Sequence, residues 1–339
     1  MSKIVRFDKV GDANVLKFVE EAPTEPGEGE VRIKVKAIGL NRAEVLFRQG
    51  LYLEKPSFPA RIGYEASGVV EAIGPSVSGF KIGDVVSTIP SFAMSKYGVY
   101  GELATVPASA LAHYPETLSA EEGASIWMQY LTAYGALVEL GKLQAGQHLV
   151  ITAASSSVGF AAIQICKDLG AISIATTRTA AKKQNLLDAG ADHVIVTDDE
   201  DMVMRIREIT AGKGAEMAFD AVAGPMLSQL AKAAAYGGTI FEYGALSLET
   251  TPYPLMLALD KSLLVYGYTL FHLNRNPEMQ ARGKQYVYDG LKKGSLKPVI
   301  DKVFKFSEIT LAQEYMESNQ QNGKIVVSVS EDGRADKRD

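Results

Sequence analysis

The chain is 339 residues long, more than one typical domain, so two domains are expected. Apolar residues make up 47%, charged residues 22%, and the net charge is −5, which leaves no basic footprint for nucleic acid or an anionic membrane surface. No apolar run approaches the roughly 20 residues that span a bilayer, and a lone cysteine excludes an internal disulfide and suits a reducing, cytoplasmic setting.

The opening MSKIVRFDKVG enters alternating, strand-like sequence at once, with none of the marks of a secretory signal. GEVRIKVKAIGL, EASGVVEAIGP and KIGDVVSTIP read as strands punctuated by Gly and Pro, so a compact, mostly antiparallel β-rich unit is expected. The pattern changes near Thr117. A helix is expected to start at Ser119, with Glu121 and Glu122 in the first turn, where the helix dipole favours acids. Strands HLVITAA, ISIATT, DHVIVT, AEMAFDAV, GTIFEYG and SLLVYGYTL then alternate with helices VGFAAIQICKDLG, AAKKQNLLDAG, DMVMRIREITAG and PMLSQLAKAAAYG. Such alternation implies βαβ units and a doubly wound parallel sheet. KPVIDKVFKF and GKIVVSVS read as strands around the helical EITLAQEYMESN, with the chain returning to its first domain, and the polar tail EDGRADKRD is expected to be disordered. Cys166 lies inside an apolar helix and reads as a core residue.

The turn after HLVITAA carries the main functional question. Ser155, Ser156 and Ser157, followed by Val158 and Gly159, stand between a strand and a helix where a dinucleotide fingerprint would be glycine-rich. Such a site needs helix-start N–H groups and small residues near the pyrophosphate. Serine is small and its hydroxyl can donate to phosphate, but it enters positive φ less readily than glycine, so a more open turn is expected. Taken alone, the segment fits a cofactor site or a plain crossover. The end of the next strand, TTRTAAKK, lacks the acid that would hold a free ribose 2′-hydroxyl. Thr177, Arg178 and Lys182, with Lys183, offer a 2′-phosphate site instead, which points to NADPH; the alternative is a solvated basic start to a surface helix.

At these residues the sequence resembles the zinc-independent quinone oxidoreductase (zeta-crystallin-like) branch of the medium-chain dehydrogenase/reductases. GLNRAEVLFRQGLY (39–52), GYEASGVVEAIGPSVSGFKIGDVV (63–86), YLTAYGAL (130–137) and QNGKIVV (321–327) carry the likeness over nearly the whole chain, and the turn segment keeps Gly159, Gln164 and Lys167. Two glycines of the pattern are replaced by Ser156 and Ser157. The resemblance implies a GroES-like β-rich catalytic domain (1–126 and 297–330), a Rossmann NADPH-binding domain (127–296) with a cleft between them, and a tail at 331–339. It also implies hydride transfer at that cleft and a homodimer through the apolar edge strand SLLVYGYTL. Zinc-containing members have metal ligands where this chain has Asn41 and Tyr64, and the four histidines here lack ligand spacing, so no metal is expected. Glu65 remains from that motif as an isolated carboxylate.

The resemblance places Asn41, Tyr52, Tyr64 and Tyr130 at the cleft. Asn41 would bond a substrate oxygen, Tyr52 would stack on or donate to a flat acceptor, and Tyr64 would fill the space of a zinc-binding histidine. For each tyrosine the alternative is a half-buried side chain with its hydroxyl at the surface. Thr132, Tyr243, Gly244 and Phe271 would contact the cofactor, as would Asn322 and Lys324, with a solvated lysine as the alternative for the last. Tyr97 and Tyr100, in the loop SFAMSKYGVYG, are further substrate-contact candidates. Without a Lewis acid, electron-poor acceptors such as quinones and α,β-unsaturated carbonyls are the natural substrates. The other readings are an enoyl-thioester reductase and a non-catalytic NADPH-binding redox sensor or structural protein.

Overall fold

The computed structural model describes residues 1–329, and the expected tail 331–339 lies outside the described residues. The chain divides into two units: Met1–Met128 together with the segment from Pro298 on, and Gln129–Lys297. Among the described residues no helix is long and apolar enough to cross a membrane.

The first unit begins with strands β1 (Ser2–Phe7), β2 (Lys17–Glu21) and β3 (Glu30–Gly39), then helix α1 (Arg42–Arg48). It continues with β4 (Ala60–Arg61), β5 (Glu65–Ile73), β6 (Val85–Thr88), α2 (Met94–Tyr97), β7 (Leu103–Pro107), β8 (Leu111–His113) and α3 (Ala120–Gly123). In β3, Val31, Ile33 and Val35 recur at the strand period and are fully buried, each contributing about 1.5–3 kcal/mol. Ser119 caps α3 as expected: its side chain accepts from the Glu122 N–H while Glu122 reaches back to the Ser119 N–H. The segment 91–101, expected as a loop, contains α2, and its Tyr100 is 1% exposed.

The second unit takes in most of α4 (Trp127–Tyr134), which runs on into a π-helix at Gly135–Leu140. Strands and helices then alternate: β9 (His148–Ile151), α5 (Ser157–Asp168), β10 (Ile172–Thr177), α6 (Lys183–Asp188), β11 (His193–Val196), α7 (Met202–Ile209), β12 (Ala215–Asp220) and α8 (Met226–Ala233). After these come β13 (Ala234–Glu242), α9 (Leu255–Lys261), β14 (Leu264–Gly267), α10 (Leu270–Asn274) and α11 (Pro277–Lys293). All strand pairs are parallel, in the order β11-β10-β9-β12-β13-β14. The order reverses at β9, which places a crevice for ligands beyond the carboxyl ends of β9 and β12. On one face, Val150, Ala218 and Ile240 pack with Ile206, Leu227 and Leu230 from α7 and α8. The expected strand SLLVYGYTL is a correction: β14 keeps only Leu264–Gly267, because Ser262 at φ 51 closes α9 and Thr269 caps α10.

The chain re-enters the first unit through β15 (Ile300–Lys305), α12 (Ile309–Glu317) and β16 (Lys324–Ser328). There β16 pairs antiparallel with β3 and parallel with β15, giving the sheet order β15-β16-β3-β5-β6-β8, with β7 also on β3 and a small β2-β1-β4 sheet beside it.

Candidate active site

In the second unit the serine turn opens on the crevice end of β9. Ser156 is the N-cap of α5, and its Oγ accepts from the Gly159 N–H at 3.1 Å. A side chain on Gly159 would put its Cβ 2.3 Å from the Ala154 carbonyl oxygen, so only glycine lets the helix start this close to the strand. The N–H groups of Ser157 and Val158 lie in the first turn, where no carbonyl one turn back can accept them. Lys182 Nζ donates to Ser155 Oγ at 3.3 Å. Arg178 is exposed just past β10, whereas Thr177 is buried with its hydroxyl turned to the Thr179 carbonyl. Helix dipole, free N–H groups and a nearby ammonium fit the phosphates of a dinucleotide.

Around that turn, Tyr243 follows β13 and stacks on Phe219 at 3.9 Å between centroids, and burial pushes its phenol well up. Gly244 is set against the Ala221 carbonyl, 2.8 Å from where a Cβ would stand. Tyr130, fully buried on α4, donates to Gln164 Oε1 at 2.8 Å, and Thr132 is buried on the same helix. Phe271 is half-buried on α10.

The first unit holds a buried polar cluster. Gly39 at the end of β3 runs against the Ala124 carbonyl, 1.9 Å from an added Cβ, and this close passage delivers Asn41 to the start of α1. Lys324, 1% exposed at the start of β16, donates to Asn41 Oδ1 at 2.7 Å and to Glu65 Oε2. Asn41 Nδ2 in turn faces the Gly39 carbonyl at 3.1 Å, Glu65 Oε2 at 3.2 Å and Glu44 Oε1 at 3.3 Å. The Met128 N–H donates to the other Glu65 oxygen at 2.8 Å. Lys324 is therefore not a solvated lysine, and Glu65 is not isolated.

Glu44 joins the cluster as well, and its one mark in the sequence is the helix-start spacing Asn41-x-x-Glu44. Its carboxylate accepts from the Asn41 N–H, the Tyr64 N–H and Tyr100 Oη at 2.7, 3.0 and 2.7 Å. Burial pushes this carboxyl up, against those hydrogen bonds. Gln313 on α12 completes the cluster by donating to Tyr100 Oη at 3.0 Å. Tyr100 is thus a buried part of the scaffold, a correction to its reading as a substrate contact, and Tyr97 Oη is bound to Glu30.

Tyr52 and Tyr64 meet edge to face at 6.4 Å, and Phe92 follows at 5.7 Å from Tyr64. Tyr64 is wholly buried, not half-exposed, while Tyr52 keeps some exposure. Burial pushes the Tyr52 phenol up to about 12 and Tyr64 further, so both keep their protons. Asn322 lies just before β16 with a buried Oδ1 that has no hydrogen-bond partner among the described residues. Among the described residues no three His, Cys, Asp or Glu side chains are grouped to hold a metal ion.

Two family models match the chain, an alcohol dehydrogenase GroES-like domain over residues 27–116 and a zinc-binding dehydrogenase over 157–283. The rat synaptic vesicle membrane protein VAT-1 homolog is 30% identical over 337 residues, covering 95% of this chain and 81% of the relative. Human quinone oxidoreductase is 30% identical over 316 residues, covering 93% of each. The crystal structure of Escherichia coli quinone oxidoreductase complexed with NADPH superposes with a TM-score of 0.88 at 29% identity, covering 96% of this chain and all of that one. With the same pair of units and likeness along almost its entire length, the chain belongs to the quinone oxidoreductase branch of the medium-chain dehydrogenase/reductase superfamily.

Proposed function

We propose that the protein is an NADPH-dependent oxidoreductase that reduces quinones or α,β-unsaturated carbonyls. The observation that carries this is the Ser156-capped start of α5 at the sheet's switch point, with Lys182 on Ser155 and no acid at the end of β10. NADPH, when bound, supplies the hydride. Ser155, Ser157, Val158 and Gly159 hold its pyrophosphate, and Arg178 with Lys182 takes the 2′-phosphate. Thr132, Tyr243, Gly244 and Phe271 surround the nicotinamide half, and Asn322 offers its unpartnered carbonyl oxygen.

Tyr52 receives the acceptor, backed by the buried Tyr64 and by Asn41. Lys324 fixes the carbonyl end of the Asn41 amide while Gly39, Glu44 and Glu65 hold its NH2 end, so Asn41 shapes the acceptor's place and is set before substrate arrives. Tyr52 keeps its proton through the neutral range and donates a hydrogen bond to the acceptor oxygen, where negative charge grows as hydride arrives. The proton that completes the product comes from water. A homodimer formed along β14, in a cytoplasmic setting, belongs to the same reading.

The test is the initial rate of NADPH oxidation, with NADH in parallel and chelator present, against an ortho-quinone, a para-benzoquinone and a medium-chain 2-enal. Turnover that prefers NADPH and survives chelation is expected. Arg178→Ala with Lys182→Ala should weaken NADPH about 10- to 100-fold, as losing charge-assisted hydrogen bonds costs about 1.5–3 kcal/mol, and leave NADH nearly unchanged. NADH outpacing NADPH, or binding without turnover on any acceptor, defeats the reading.

A further inference from the structure

Thr152, just past β9, and Asp220 and Glu242, the last residues of β12 and β13, lie on the face that carries Val150, Ala218 and Ile240 deeper in the sheet. Asp220 is fully buried and opposite Glu242 in register. It already accepts from Thr152 Oγ1, from the Val222 N–H at 3.0 Å and from the Ala223 N–H at 2.8 Å. Both carboxyl oxygens of Glu242 are buried, and among the described residues no N–H or O–H reaches them. Two acceptor-only carboxylates at directly opposite positions of paired strands would repel, so one proton belongs between them, and the donors around Asp220 assign it to Glu242. Burial, with the Asp220 charge second, pushes the Glu242 carboxyl up to about 9.

Among the described residues no other charge is placed to relieve it. On β14 the residue opposite Glu242 is Gly267, and Tyr266 and Tyr268 turn to Phe241 on the other face. Helix α8 carries Lys232, and α9 carries Asp260 and Lys261. Lys261 Nζ is committed to the carbonyls of Ala231, Lys232 and Ala234 at the far end of β13. Glu249 in the following loop is exposed.

The two carboxyls stand at the root of two segments zipped together at the crevice. Tyr243, Leu246 and Ser247 donate their N–H groups to the carbonyls of Asp220, Ala221 and Val222 at 2.9, 3.0 and 2.8 Å. We propose that Glu242 is a positioning residue: as a neutral acid donating to Asp220, it holds segments 220–223 and 243–247 in the shape that receives the nicotinamide half of the cofactor, and its ionisation parts them. This rests on the cofactor reading given above. The affinity for NADPH should then fall with the protonated fraction of Glu242.

The experiment measures NADPH dissociation constants by fluorescence from about pH 7 to about pH 10, beside thermal melting of the cofactor-free protein over the same range, for the native chain and for Glu242→Gln and Asp220→Asn. The glutamine amide keeps the hydrogen bond and cannot ionise. Native affinity is expected to drop about tenfold per pH unit above the transition, while Glu242→Gln stays within about twofold. Parallel profiles for the two proteins overturn the proposal. If neither binds NADPH at any pH, the cofactor reading falls first; the melting curves then decide the acid pair, which stands if Glu242→Gln alone loses the alkaline drop and fails if the curves run together. Should Asp220→Asn not fold, the Glu242→Gln comparison suffices.

Discussion

Lys324 is a buried cation held by one amide oxygen and one carboxylate, and its value lies in what its removal would leave behind. Lys324→Met strands the Glu65 charge out of water, which costs about 3–5 kcal/mol, whereas the double variant with Glu65→Gln should recover a large part of that. Urea midpoints of the single and double variants check this. Glu242 works in the opposite sense to most acids. Its folded value near 9 lies above the ordinary 4.5, so the native state keeps a proton the unfolded chain has released. The stability it lends is complete below about pH 4.5 and is lost as pH rises towards 9. Glu242→Gln should therefore gain on the native protein with rising pH, most clearly near the top of that window.

At the level of elements, α5 depends on its first turn. Gly159→Ala drives a Cβ towards the Ala154 carbonyl, so the helix start must shift, at about 1–3 kcal/mol of stability. NADPH affinity should fall at least about tenfold, since each 1.4 kcal/mol is tenfold. Denaturation and fluorescence titration separate the two losses. The alternation that betrays strands and the Ser119 capping box were plain in the sequence, because local chemistry determines both. Helix α11 was not. Its buried positions include Gly283, Val287, Gly290 and Leu291, too few large apolar side chains to print a helical period, although Asn276-Pro277 and Gly294 mark its ends. β14 was overread for the converse reason: the run is apolar, but a left-handed Ser262 and a new helix cut it short. The polar cluster was half legible. Asn41 was named from its motif, yet its partner Lys324 is 283 residues away, and no local pattern announces such a meeting.

For the molecule as a whole, the decisive surface is the outer edge of the parallel sheet. Leu264 on β14 and Leu255, Met256 and Leu259 on α9 are all more than half exposed. Apolar side chains beside an open strand edge suit pairing with a second copy. Light scattering is expected to give twice the chain mass, and Met256→Lys with Leu259→Lys to give the single chain with NADPH binding retained. A native protein that stays single at micromolar concentration counts against the dimer.

The pairing of β16 with β3 sets the order in which the molecule can be made. Glu65 leaves the ribosome 259 residues before Lys324, a wait of roughly 10 to 50 seconds at about 5–20 residues per second. Throughout that interval the nascent first unit lacks its ammonium, and the flank of β3 that will take β16 is bare. The second unit is one uninterrupted stretch, Gln129–Lys297, and is fully synthesised by then. The part made first is finished last, so a stalled or clipped nascent chain would carry a complete nucleotide-binding half beside an unfinished sheet, the form that holdase chaperones and proteases recognise.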